Sequence, residues 1–331
     1  MKSKSFLILI FFLLIFILFP SLLKAYWRNG FGPLNTRNQF PLNLIFLDLN
    51  PEPAITLPVK RLKVELISDY SNIFLMGYHQ NLISETDMEM LRTSLILKGS
   101  PFNNMEFGIE IPVYGIFGGF LDHFIEEFHN TFGFESATRE NFPQNYMQYK
   151  FVYNNSTFID LHSDSGGLGD IVLSSKYIVK KEKRWTPALS LRGAIKFPTG
   201  NRSYGFSSGK FDFGLGVAMQ KSISSFVIYG NLNGIYPRNP GYHLHLDPFL
   251  SMNLALEYLL KKNFSLVVQV SGATSPFNVG DKSIDGFRSQ IIVGLFWEIK
   301  ENVIIQLAFT EDLTHNSIPD FTFSSGVRFV F

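Results

Sequence analysis

The run Phe211-Asp212-Phe213-Gly214-Leu215-Gly216-Val217-Ala218-Met219-Gln220 decides the fold. Phe211, Phe213, Leu215, Val217 and Met219 alternate with Asp212, Gly214, Gly216, Ala218 and Gln220. In an extended chain this places all the large apolar side chains on one face. That face needs an apolar medium, and the other needs a polar one. The pattern recurs along the chain. Met105, Phe107, Ile109, Ile111 and Val113 alternate with Glu106, Gly108 and Glu110, and Leu189, Leu191, Ile195 and Phe197 oppose Ser190, Arg192 and Lys196. Leu250, Met252, Leu254, Leu256 and Tyr258 face away from Ser251, Asn253 and Glu257 in the same way. Ile291, Val293, Leu295 and Trp297 face away from Arg288, Gln290 and Glu298.

A soluble β-sandwich also alternates, so length and spacing must discriminate. These runs approach the ~9–11 residues that cross a bilayer at a tilt, beyond the ~5–6 of an average soluble strand. Tight connections (Lys180-Lys181-Glu182-Lys183, Lys221-Ser222, Lys261-Lys262-Asn263, Lys300-Glu301-Asn302) alternate with long ones rich in Gly, Pro and Asn at 198–210, 237–247, 274–286 and 311–319. Outer-membrane barrels have short periplasmic turns and long external loops. Tyr177, Phe226, Tyr258, Phe264, Trp297 and Phe331 sit beside the tight turns, where an interfacial aromatic girdle belongs. The expected fold is an all-β, transmembrane, antiparallel up-and-down barrel.

Strands are expected at 61–70, 89–98, 105–114, 146–153, 157–163, 169–179, 187–197, 211–220, 224–236, 248–260, 263–273, 287–299, 302–310 and 320–331, fourteen in all. An even number follows from both chain ends lying on the periplasmic side. If 146–153 and 157–163 belong to the preceding external loop, 116–145, the number is twelve. Residues 26–58 carry Pro33, Pro41, Pro51, Pro53 and Pro58 and read as an extended segment that can tuck into the barrel ahead of 59–331.

At the N-terminus Lys2 and Lys4 precede an unbroken apolar run, Phe6 to Phe19, then Pro20, Ser21 and Ala25. This is the layout of a signal peptide, residues 1–25, and the run is shorter than the ~20 residues of a spanning helix. The chain is therefore expected in the outer membrane of a Gram-negative bacterium after cleavage. It has 331 residues, a net charge of +1, no cysteine and 35 phenylalanines. Near-neutrality argues against a nucleic-acid partner. The absence of cysteine excludes disulfides and cysteine-linked lipid anchors.

Several groups are candidates for chemistry. Phe120, Phe124 and Phe128 recur at helical spacing within 118–132, which predicts a short helix in the long external loop, with Asp122, Glu126 and His129 on another face. Glu126-x-x-His129 has the spacing of helical di-metal sites, but without a partner helix the simpler reading is a polar face on a lid over the lumen. His243, His245 and Asp247 alternate and form a weak metal candidate. Gly205-Phe206-Ser207-Ser208-Gly209 has the letters of a nucleophile elbow, but a strand follows it where a helix is required. No catalytic constellation or cofactor is expected. The inward face would carry Glu106, Glu110, Asp170, Asp212, Glu257 and Glu298 against Lys150, Lys176, Arg192, Lys196, Arg288 and Arg328. That balance predicts no strong ion selectivity, and the same pairs could seal the lumen with salt bridges.

The run from Gly118 to Phe134, with Arg139, Gly169-Asp170-Ile171, Lys176-Tyr177, Lys196-Phe197-Pro198-Thr199-Gly200, Glu311-Asp312 and Pro319-Asp320, resembles a bacterial family catalogued as domain of unknown function 3187. The resemblance covers roughly residues 59–331. Gly169-Asp170 and Pro198-Thr199-Gly200 also resemble outer-membrane proteins associated with the phenol meta-cleavage pathway. The resemblance implies an outer-membrane barrel without assigned chemistry, and the terminal Phe331 resembles the signal read by barrel-assembly machinery. The expected partners are outer-membrane lipid, that machinery and an unknown small solute. The leading expectation is a pore or uptake channel for a small solute that can be apolar. The alternatives are a closed structural barrel and, third, an outer-membrane enzyme.

Overall fold

The computed structural model describes residues 29–79, 81–120, 143, 145–241, 244–314 and 316–331. Its strands are β1 (Leu62–His79), β2 (Leu82–Gly99), β3 (Met105–Phe117), β4 (Gln148–Tyr153), β5 (Ser156–Leu161), β6 (Ser165–Leu168), β7 (Ile171–Lys180), β8 (Ala188–Phe197), β9 (Asp212–Ile223), β10 (Phe226–Tyr236), β11 (Phe249–Lys261), β12 (Phe264–Ala273), β13 (Arg288–Lys300), β14 (Val303–Asp312) and β15 (Phe321–Val330). From β7 to β15 each strand pairs antiparallel with the next. β15 pairs with β1, placing Lys63 opposite Val330, and β1, β2, β3 and β7 complete the circuit. The cylinder therefore has twelve strands and no free edge in its wall.

The fourteen-strand expectation is corrected here, and its twelve-strand alternative holds. β4 and β5 have six residues each, too few to cross a bilayer, and they form a hairpin through Asn154 and Asn155, both at positive φ. Within the wall β4 pairs with Leu82–Asp87 alone, at the loop end of β2. β3 is already hydrogen-bonded to β7 at Met105–Glu110, so no gap remains in the wall for two more strands. β6 is a four-residue strand on the upper part of β3. The expected strands 61–70 and 89–98 are each longer, and 71–88 forms no long loop: β1 and β2 run on as one ladder to His79 and Leu82. Pairing with β4 supports that extension.

The alternation maps onto inside and outside. Leu215, Leu250, Met252, Leu254 and Leu191 are exposed on the outer surface, while Asp212, Ala218, Gln220, Glu257 and Arg192 are buried. Of the aromatics beside the short turns, Tyr177, Trp297 and Phe331 are exposed, whereas Tyr258 is buried by stacking on Phe226 at 4.8 Å.

Candidate functional site: the barrel interior

Residues 29–58 thread the interior as a hairpin. At the short-turn end Gln220 Nε2 donates to the carbonyl of Asn29 at 2.8 Å. The chain climbs past Gln269 and Gln306 to a helical turn, Pro41–Leu44, near the long loops, where Asn38 and Asn43 both donate to the carbonyl of Ser317. It then descends past Asp212 and Asn231 and leaves at the short-turn end, where Lys60 N donates to Ser100 O at 2.9 Å just before β1.

The proline-rich segment takes no place in any β-ladder. Among the described residues its backbone-to-backbone bonds up to residue 57 are the local ones of the turn at 40–46. A buried backbone N–H without an acceptor is costly, so acceptors must come from elsewhere. They come from the wall. Phe31 N donates to the Glu257 carboxylate (3.0 Å), Leu34 N to Gln269 Oε1 (3.0 Å) and Asn35 N to Gln306 Oε1 (2.9 Å). On the descending leg Leu47 N donates to Asp212 Oδ2 (3.0 Å), Glu52 N to Asn231 Oδ1 (2.7 Å) and Leu57 N to Glu106 Oε2 (2.9 Å). The polar face of each strand thus serves as a set of acceptors for a second piece of the same chain.

The wall also makes room. A Cβ on Gly214 would lie 2.5 Å from Leu49 Cδ1 and 3.0 Å from Leu47 Cδ2. Gly214, between the outward Phe213 and Leu215, is thus one place where the segment packs directly against the backbone of β9.

Charges fix the hairpin from its lower legs to its turn. Glu52 is bridged by Lys98 (2.9 Å), Lys176 (3.1 Å) and Arg192 (3.1 Å), and Lys176 also reaches Glu106 at 2.9 Å. Burial pushes the Glu52 carboxyl up, but these three cations outweigh it and hold the group well below the usual carboxylate range. Lys196 joins Asp170 (2.5 Å), Asp212 (3.2 Å) and the Ile45 carbonyl (2.7 Å). Arg92 bridges Asp69 and Glu110, and Glu110 accepts from Asn50 Nδ2 at 2.7 Å. Arg328 pairs with Glu65 at 2.8 Å and donates to Phe31 O at 2.6 Å.

Toward the long loops apolar packing takes over. Phe40, Leu42, Ile45, Phe46 and Leu47 cluster with Ile73, Met90 and Tyr114 of the wall. Tyr149 and Phe151 of β4 and Phe158 of β5 close over them, with Phe277 edge-on to Phe46 at 5.6 Å. The hairpin outside the wall therefore covers the upper mouth.

Of the other inward candidates, Arg288 donates to Asn43 Oδ1 and to Thr274 O. Glu298 lies at a short turn, where it accepts from Asn302 N at 3.4 Å. Lys150 is on β4, outside the wall, because its strand never enters the cylinder. Phe120 is exposed, its N–H donating to Glu89 Oε1 at 2.8 Å, while Asp122, Phe124, Glu126, Phe128 and His129 lie outside the described residues, as do 1–28 and His243. His245 and Asp247 are exposed and 3.9 Å apart, and no group of three metal-ligating side chains occurs among the described residues. Phe331 exchanges backbone hydrogen bonds with Leu62 at the β1–β15 seam.

Glu52, Glu65, Asp69, Arg92 and Lys98 are interior groups that the sequence reading did not single out. On β2 the alternation of Arg92, Ser94 and Lys98 with Leu91, Leu95 and Leu97 carries that signal. Glu52 lies in no strand and offers none.

Residues 7–331 match the family model described as "Protein of unknown function (DUF3187)". The chain belongs to this family. The DUF3187 match begins well before β1, so it includes the interior hairpin as well as the wall. No curated protein matches the chain. Among solved structures the chain is similar to the COG4313 outer membrane channel from Pseudomonas putida F1, with a TM-score of 0.56 at 13% identity, covering 86% of this chain and 100% of that chain. It is also similar to the NanC porin, with a TM-score of 0.47 at 7% identity, covering 80% of this chain and 98% of that chain. At such identities the first likeness is one of fold.

Proposed function

We propose that this DUF3187 protein is an outer-membrane channel whose resting state is closed by its own residues 29–58. One observation carries the reading: the segment is bound to the wall through side chains and shares no ladder with it, so it can leave without unzipping a strand. The exposed apolar belt and the absence of a free wall edge support a bilayer location. Cleavage after Ala25, outer-membrane lipid and barrel-assembly machinery belong to the same proposal.

The apolar cluster at the long-loop mouth favours a small apolar solute, because a strongly hydrated one would lose its water there without replacement hydrogen bonds. The competing reading is a structural barrel that never opens. Planar-bilayer recording separates them. The full mature chain should show rare or no stepwise current, and a chain lacking 29–58 that keeps its heat-resistant mobility should conduct steadily. A folded deletion without current would favour the structural barrel.

A further inference from the structure

Toward the short turns three wall cations converge on one carboxylate of the hairpin. Lys98 of β2 (2.9 Å) and Arg192 of β8 (3.1 Å) take Glu52 Oε1, and Lys176 of β7 (3.1 Å) takes Oε2. None of the four residues is more than 8% exposed. Both oxygens are therefore paired with charge, in a cradle built from the wall.

The backbone of the segment is placed here by other means. Asn231 of β10 grips Glu52 on both sides: its Oδ1 accepts from Glu52 N at 2.7 Å, and its Nδ2 donates to Glu52 O at 3.0 Å. What the Glu52 side chain adds is neutralisation. Around the rest of the wall Lys63 and Arg328 are bridged to Glu65, Arg92 to Asp69 and Glu110, and Lys196 to Asp170 and Asp212. In the cradle, among the described residues, the wall itself bridges only Lys176, to Glu106 at 2.9 Å. Lys98 and Arg192 have their carboxylate from the hairpin alone. When the hairpin leaves, three cations are left with one wall anion. Such an excess is costly to leave unpaired, and the group that matches it is another carboxylate.

We infer that Lys98, Lys176 and Arg192 form the solute-binding site of the channel, that this site takes a carboxylate, and that Glu52 is a tethered stand-in filling it at rest. The inference rests on the reading that residues 29–58 leave the lumen, and it adds the class of solute: a small apolar body carrying one carboxylate. The apolar cluster at the long-loop mouth suits the body, while the cradle replaces the water that the carboxylate gives up. Solute and Glu52 compete for the same cations. The solute thus binds the released state alone and draws the population toward it.

Benzoate is the probe, and benzamide, of nearly the same shape but uncharged, is its control. In the full mature chain folded in detergent, benzoate should increase protease cleavage within 29–58 saturably, and benzamide should not. In Glu52→Gln the stand-in is gone, so equilibrium dialysis should show benzoate bound at least tenfold more tightly than by the unmodified chain. Adding Arg192→Gln should remove that gain. The inference is overturned, with the channel reading left standing, if Glu52→Gln exposes the segment to protease yet binds benzoate no better. A segment that stays protected both in Glu52→Gln and under benzoate would show that release itself fails, and the inference falls with it. Should the variants not fold, the unmodified chain decides: equal cleavage with benzoate and benzamide overturns the inference.

Discussion

The two ends of the interior hairpin differ in what dominates their hold: ion pairs below, and above them an apolar cluster beside the Lys196 and Arg288 contacts. Near the short turns Glu52 gathers Lys98, Lys176 and Arg192, and wall carboxylates and amides take the backbone N–H groups one by one. Near the long loops Phe40, Phe46 and Leu47 pack among Tyr114, Tyr149 and Phe277. Ion pairs and hydrogen bonds are directional, so the lower end fixes where the segment sits. Apolar burial is not directional, so the upper cluster excludes water without itself demanding one geometry. The clamp should therefore fail when one partner is lost, and the seal should fail gradually.

The largest effect should come from Glu52→Gln, which leaves three buried cations facing a neutral amide. Breaking a buried ionic group by removing one member costs about 3–5 kcal/mol. The expected readout is protease cleavage within 29–58 and frequent current steps, in a barrel whose heat-resistant mobility is kept. Unchanged protection would mean that the apolar end alone holds the segment.

A smaller effect is expected from Gly214→Leu, which drives a side chain into the space of Leu47 and Leu49. Overpacking of this kind costs about 1–3 kcal/mol. It should loosen the upper leg while leaving the clamp intact, so cleavage should appear at 40–49 and not at 52–58. Cleavage spread evenly over the segment would show that the two ends respond as one unit.

The smallest effect concerns acid. The folded pKa of Glu52 is depressed, so its contribution is fully present above the ordinary carboxylate value and is lost only as pH falls through the depressed one. Mild acidification should leave the segment protected, and release should begin only well below the usual carboxylate range. In Glu52→Gln that part of the acid dependence should vanish. Release of the unmodified chain near pH 5 would contradict the clamp.

How much of this could be read from residues alone differs between wall and interior. The wall was legible because a period of two reports the medium on each side, as Phe211 to Gln220 does without help from distant sequence. The strand number was harder, because Gln148–Tyr153 and Ser156–Leu161 alternate like wall strands. Their difference lies in length and in the partner, Leu82–Asp87, far back in the chain. The prolines between 33 and 58 excluded a ladder, but nothing local says that Phe31 meets Glu257, 226 residues away. Glu52 was illegible for the same reason, since its three cations come from three different strands. Gly214 was the available hint: a glycine between the outward Phe213 and Leu215 leaves room that another part of the chain fills.

The seam between β1 and β15 has a consequence for assembly. Lys63 must find Val330 to complete the cylinder, and the interior hairpin is tethered directly to the start of that same strand. Those partners lie near opposite ends of the sequence, so their meeting belongs among the slow, non-local events of folding. Until they meet, the half-built sheet is an open trough into which residues 29–58 can settle sideways. Once they meet, the only way in or out is lengthwise, past Glu52 at one end or the aromatic cluster at the other. The last ladder to zip thus converts a segment lying in a trough into a captive one, and the order of assembly is itself part of how the barrel comes to be closed.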